Sequence, residues 1–157
     1  MDLSRTKAIS AEIKRRHPLW GEMTFIDAGN SGAVFRLEHP EHGSVALKVY
    51  DPAFFSGPNA LIEAQRIKLQ EELRSHGNDF LIDVIEAVEV SDLSTWYIIM
   101  ELCAWPTLDA VLLEIPNEQI QPLLSQLVQA VLFLDENNLF IEISSQQTSP
   151  FRQTSTN

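Results

Sequence analysis

Basic charge is scarce in this chain, and the scarcity removes a class of partners. Eleven Lys and Arg stand against 22 Asp and Glu, a formal net charge of -11 at pH 7. A protein that follows a phosphate backbone needs cations clustered on one face. The one such cluster, Lys14-Arg15-Arg16-His17, is short and reads as the solvated side of an N-terminal helix. Nucleic acid is not an expected partner. Cysteine is nearly absent. Cys103 stands alone, which excludes an internal disulfide and points to a reducing compartment. The four histidines, His17, His39, His42 and His76, are scattered without zinc-ligand spacing, so no metal site is expected. His39 and His42 can pair across a turn, although surface loop positions are the simpler reading. Long apolar runs are missing too: none reaches the roughly 20 residues that span a bilayer. Met1-Asp2-Leu3-Ser4-Arg5 lacks the apolar stretch of a secretory signal. A cytoplasmic location without a membrane partner follows as the expectation.

What is present is ordinary globular material. Apolar residues make up 45% of 157, enough for one domain with a core. Periodicity and breakers predict a helix over 9–16, ended by His17-Pro18 because a residue before proline avoids the helical region. Strands follow at 23–28, 32–37 and 44–50, with a polar turn over 38–43. In the third strand, Val45, Leu47 and Val49 share one face, and Ala46, Lys48 and Tyr50 the other. Ser56-Gly57-Pro58-Asn59 breaks the chain before a helix over 60–74. Strands at 80–90 and 95–102 and helices at 108–113 and 119–135 complete the order β-β-β-α-β-β and then helices. Beyond residue 143 apolar residues almost vanish, which by composition is a disordered tail.

Four features carry possible chemistry. Gly29-Asn30-Ser31-Gly32-Ala33-Val34 joins the first two strands, where glycines let a backbone approach a ligand and turn N–H groups toward phosphate oxygens. Taken alone, the pair is equally a hairpin loop needing positive φ. Asp27, just before it, would repel phosphate somewhat. In Val45-Ala46-Leu47-Lys48 a lysine sits inside an apolar strand, where an unpaired ammonium is expensive. It either snorkels out on an open face or points into a cleft that offers anions. Glu63, fifteen residues after Lys48, begins a helix and can pair with that ammonium, with Glu71 and Glu72 as rivals. Ile98-Ile99-Met100-Glu101-Leu102-Cys103-Ala104 is an apolar strand running into a connector, whose backbone can bond a flat heterocycle.

The order and spacing of these four resemble the small lobe and hinge of eukaryotic-type Ser/Thr protein kinases, over residues 25–140. Such kinases carry G-x-G-x-x-G-x-V, then V-A-I-K, a helix glutamate and a hinge often written M-E. The resemblance implies an α+β fold: a kinase-like small lobe, an antiparallel five-stranded sheet with one helix, followed by a partial, helical large lobe. Residues 1–20 would be an N-terminal helical extension, 21–102 the small lobe, 103–140 the hinge and partial large lobe, and 141–157 the tail. It also implies ATP as the ligand. Lys48 would grip the α/β-phosphates, with Glu63 orienting it. Gly29 and Gly32 would line the phosphates, Val34 and Ala46 would sandwich the ring, and Met100, Glu101 and Cys103 would border the adenine. The family reaction is transfer of the ATP γ-phosphoryl group to a protein Ser or Thr hydroxyl.

The pattern stops at the catalytic loop. Where such kinases read His-Arg-Asp-Ile-Lys-Pro-x-Asn, this chain reads Phe140-Ile141-Glu142-Ile143-Ser144-Ser145-Gln146-Gln147. Glu142 is a weak stand-in for the base, and no Asp-Phe-Gly follows, so Mg²⁺ loses a main ligand. Residues 140–149 can be encoded by a nucleotide string that, read from its third base, gives His-Arg-Asp-Ile-Lys-Pro-Ala-Asn-Ile. The expectation is a frameshift near Phe140 and a chain that lacks transferase activity. Without the later helices, Leu123, Leu127, Val131 and Leu134 would be partly exposed, favouring self-association or a protein partner. The alternative reading is a pseudokinase-type interaction module that binds no nucleotide.

Overall fold

In a computed structural model, residues 1–73, 81–103, 108–111 and 113–137 are described. Helix α1 (Leu3–Arg16) starts where Asp2 accepts from the Arg5 N–H at 3.1 Å, a side-chain N-cap. Lys14, Arg15 and Arg16 occupy its last turn, where cations suit the helix dipole. The helix begins six residues before the periodicity predicts, because Thr6 and Ser10 face the core beside Ile9 and Ile13. Their hydroxyls donate to the carbonyls of Asp2 and Lys7, both at 2.8 Å, so polar side chains occupy buried helix positions fully bonded.

Strands β1 (Met23–Ala28), β2 (Gly32–His39), β3 (Gly43–Tyr50), β4 (Val84–Val90) and β5 (Thr95–Glu101) form one open sheet in the order β1-β2-β3-β5-β4. Every pairing is antiparallel. Gly43, at φ 68°, allows the tight turn into β3, and Ser94, at φ 51°, turns the chain into β5. Helix α2 (Ala60–Leu73) lies between β3 and β4 in sequence, and α3 (Leu108–Val111) and α4 (Asn117–Glu136) follow the sheet. The expected α+β order therefore holds. Strand β4 starts at Val84 rather than at 80, and residues 74–80 lie outside the described residues.

The two faces of β3 make two cores. Val45, Leu47 and Val49 join Phe35, Leu37, Tyr97 and Ile99 under Ile9 and Ile13 of α1. Tyr50 joins Trp96, Ile98 and Val84 under Ile67 of α2. Leu37, Leu47 and Ile99 are wholly buried, each contributing about 1.5–3 kcal/mol relative to exposure. A helix on either side thus covers the central strand.

Helix α4 differs. Ala130 is its one buried residue, while Leu124, Leu127, Val128, Val131 and Leu132 are each about half exposed; Leu123 and Leu134 are half-buried. Among the described residues no helix is long and apolar enough to cross a membrane.

The histidines are less scattered than the sequence implies. The His17 ring stacks on Trp20 at 4.0 Å, and its Nε2 lies 3.3 Å from the Tyr97 hydroxyl. His39 stacks on His42 at 4.8 Å and lies 6.0 Å from Trp20. Within the basic cluster, Arg15 and Arg16 pair with Glu12, and Arg16 also pairs with Asp92.

Candidate functional site

Strand β3 is the middle strand, so whatever it carries is flanked on both sides. Lys48 pairs with Val34 of β2 and Ile98 of β5, Ala46 with Arg36 and Met100, and Tyr50 with Gly32. Cross-strand partners share a face. Gly32, Val34, Ala46, Lys48 and Met100 therefore lie on one side of the sheet, the side that α2 covers. Ala46 is buried, and Val34, Lys48 and Met100 are half-buried.

The Lys48 ammonium rests on an aromatic face, its Nζ 4.6 Å from the Tyr50 ring centroid. Burial pushes its pKa down, because leaving water disfavours the charged form. Among the described residues no carboxylate pairs with it. Glu63 sits in the first turn of α2, as the sequence implies, but its Oε1 accepts from Arg66 Nη1 at 3.0 Å. Tyr50 lies against Lys48 and within the field of Glu63. Its hydroxyl is pushed up to about 12, by burial first and then by the Glu63 carboxylate, so the ring stays neutral. The expected Lys48–Glu63 pair is thus replaced by Lys48 on Tyr50 and Glu63 on Arg66. The physical reason lies in reach: an i,i+3 partner on the same helix is adjacent to Glu63 without any inter-element approach.

The glycine turn is tight. Gly29 N–H donates to the Gly32 carbonyl at 3.0 Å, and the Ser31 carbonyl accepts from Asp51 N–H at 2.9 Å. The positive-φ reading of this turn does not hold, since among the described residues only Gly43 and Ser94 adopt that region. The two glycines serve different ends. A Cβ on Gly32 would fall 2.2 Å from the Val49 carbonyl oxygen, whereas a Cβ on Gly29 meets nothing within 4 Å. Gly32 is glycine because β3 passes against it; Gly29 leaves open space.

Asp27 reaches this face through a bulge. The β1–β2 register steps from Phe25↔Phe35 to Asp27↔Val34, so Ile26 is the extra residue and Asp27 joins the row of Val34 and Lys48. Two strand spacings, roughly 10 Å, separate it from Lys48. Its Oδ1 accepts from the Ala28 N–H at 2.7 Å. At the far end of the face, Met100 is followed by Glu101, whose N–H bonds the Asp83 carbonyl at 2.9 Å. Glu101 and Cys103 are both exposed. Glu142 and the tail 141–157 lie outside the described residues.

Tyr50 is legible in the sequence, because a Lys-x-Tyr pair on a strand puts both residues on one face. Asp51 gives no such local signal. No protein-family model matches the chain, and no curated protein matches it.

Proposed function

We propose that this chain is the nucleotide-binding lobe of a protein-kinase-like fold, taking the phosphates of ATP at Lys48, and that as it stands it does not complete phosphoryl transfer. One observation carries the reading. A half-buried lysine on the central strand has an aromatic face and no carboxylate as its neighbour among the described residues, and it shares its face with Gly32, Val34, Ala46 and Met100. A desolvated ammonium attracts an anion more strongly than a solvated one does. The small residue Ala46 pairs with Met100, and Glu101 and Cys103 follow where backbone contacts to a flat ring would come. Glu63 would steady Lys48 only after leaving Arg66. Mg²⁺ would need ligands from beyond the described residues.

A thermal-shift titration with ATP, with and without Mg²⁺, tests this. A ligand that binds only the folded state stabilises it by about 2.7 kcal/mol at about 100 times its Kd. Lys48→Ala should abolish the shift. A wild-type chain that melts at one temperature at every ATP concentration would leave the second reading, an interaction module without nucleotide. That reading draws on the Glu63–Arg66 pair and on the half-exposed apolar residues of α4, a surface suited to a protein partner or to self-association. A reading-frame change near Phe140 belongs to the same proposal. Gene sequence from Phe140 onward that cannot encode His-Arg-Asp-Ile-Lys-Pro-Ala-Asn-Ile in another frame would remove it.

A further inference from the structure

Asp51 directly follows the Lys48–Tyr50 strand, and only 2% of it is exposed. Its Oδ1 accepts from Ala53 N–H at 2.9 Å, which caps the short 3₁₀ helix Pro52–Phe55. Capping needs one oxygen. The other, Oδ2, accepts from the backbone N–H of Asp2, 49 residues away at the start of α1, at 2.6 Å. Asp51's own N–H holds the Ser31 carbonyl of the glycine turn at 2.9 Å. The 3₁₀ turn in its turn lays Phe54 and Phe55 on the Tyr50 ring, each at 5.7 Å, and that ring is the one beneath Lys48. A buried carboxylate survives without its hydration only if donors replace it, and here the donors come from two separate segments. Burial raises the carboxyl's pKa, but the Ala53 and Asp2 amides, with Arg5 nearby, outweigh it and leave the group below the ordinary aspartate value. The charge on Asp51 is therefore part of the folded arrangement.

We propose that Asp51 is a positioning residue that couples the docking of α1, on one face of the sheet, to the geometry of the Gly29–Gly32 turn and the Lys48–Tyr50 contact on the other. Undocking α1 removes the Oδ2 donor, and the carboxylate then shifts or rehydrates, carrying with it the N–H that holds Ser31 and the turn that holds Phe54. Anything that competes for the start of α1 would thereby regulate the Lys48 face. The last step, an effect on ATP, rests on the nucleotide reading above; the coupling itself does not.

Amide hydrogen exchange on the full chain separates the two. Asp2→Pro deletes the N–H that reaches Oδ2, while Asp2→Gly deletes only the side-chain cap on Arg5. In Asp2→Pro, the Gly29 and Asp51 amides should exchange about tenfold faster, the scale of losing a hydrogen bond to a charged group, while Tyr97 and Ile99 keep their wild-type rates. Asp2→Gly should leave the turn unchanged. Asp51→Asn should reproduce the Asp2→Pro pattern; if it does not fold, Asp2→Pro still decides. Faster exchange confined to α1, with the turn at wild-type rates, would overturn the coupling. ATP affinity supplies the second arm: through the displaced Gly29–Gly32 turn, not through the weak Lys48–Tyr50 contact, it should fall about tenfold in Asp2→Pro and hold in Asp2→Gly. A wild-type chain without ATP affinity removes the nucleotide reading, and the exchange rates alone then judge the coupling.

Discussion

The two turn glycines offer a test in which packing and ligand clearance come apart. A methyl group on Gly32 would sit 2.2 Å from the Val49 oxygen, 2.8 Å from the Tyr50 Cα and 3.0 Å from the Val49 carbon. All three are backbone atoms of β3, so no side-chain rotation relieves the overlap. An ordinary carbon–oxygen contact is about 3.3 Å, and β2 and β3 would have to part locally by roughly 1 Å. Ladder bonds of about 2.9 Å do not stretch that far. Overpacking of this kind costs about 1–3 kcal/mol, and one or two weakened ladder bonds add about 1 kcal/mol each. Gly32→Ala should therefore lose about 3 kcal/mol, a drop in Tm on the order of 10 °C. Gly29→Ala meets no atom within 4 Å, and its backbone is not in the left-handed region. It should be neutral or gain about 0.4–1 kcal/mol through the unfolded chain. Thermal melts followed by circular dichroism compare the pair. Equal losses, or no loss in Gly32→Ala, would refute the reasoning. An ATP titration of Gly29→Ala then reports on ligand approach without a change in fold.

Thr95 is buried and donates its hydroxyl to the Tyr50 carbonyl at 2.6 Å. Thr95→Val keeps the shape but strands that carbonyl, so the urea midpoint should fall by the equivalent of about 1–3 kcal/mol with an unchanged m-value. His17 is held below the ordinary histidine value of 6.5, by burial first, with His39 and Arg16 adding to the effect and Glu86 opposing it. A base whose folded pKa is depressed gives stability that is complete above the unfolded value and is lost as pH falls through the folded one. Melting temperature should decline below pH 6.5, and His17→Phe should flatten that decline. Leu127 and Val131 on α4 are 46% and 52% exposed. Leu127→Glu with Val131→Glu should shift sedimentation toward the monomer and change stability by no more than about 0.5 kcal/mol; an unchanged oligomer distribution would count against that face as the site of association.

Local pattern carried much of the fold. The alternation of Val45, Leu47 and Val49 against Ala46, Lys48 and Tyr50 correctly sorts two cores, because a strand's period is fixed by its backbone. The breakers before Ala60 and after Arg16 mark helix limits because proline restricts its own backbone and that of the residue before it. What pattern could not carry is contact between distant segments. The start of α1 escapes notice because Thr6 and Ser10 hide their hydroxyls in their own helix. Asp27 reads as a misfit in the glycine loop, and only the bulge at Ile26 puts it on the Lys48 face. Gly29 and Gly32 look alike until β3 is laid against one of them. Asp51 carries no local signal, and its second oxygen is explained only by an amide 49 positions away.

The exchange of partners at Lys48 bears directly on what the site can hold. A lysine locked to a carboxylate is neutralised, and an incoming anion must compete with a charge of its own sign. Here Glu63 is occupied by Arg66, and Lys48 lies on the Tyr50 ring. A cation–π contact of this kind is worth about 0.5–2 kcal/mol and leaves the positive charge uncompensated. The ring shields the ammonium from water on one side without cancelling its field on the other. An arriving phosphate therefore has to displace only a weak contact, and finds an ammonium already partly stripped of solvent. Tyr50→Leu keeps the apolar floor but removes the π face. If the argument is right, it should leave anion affinity at Lys48 equal or higher, whereas a large loss would mean that the tyrosine itself contributes to holding the ligand.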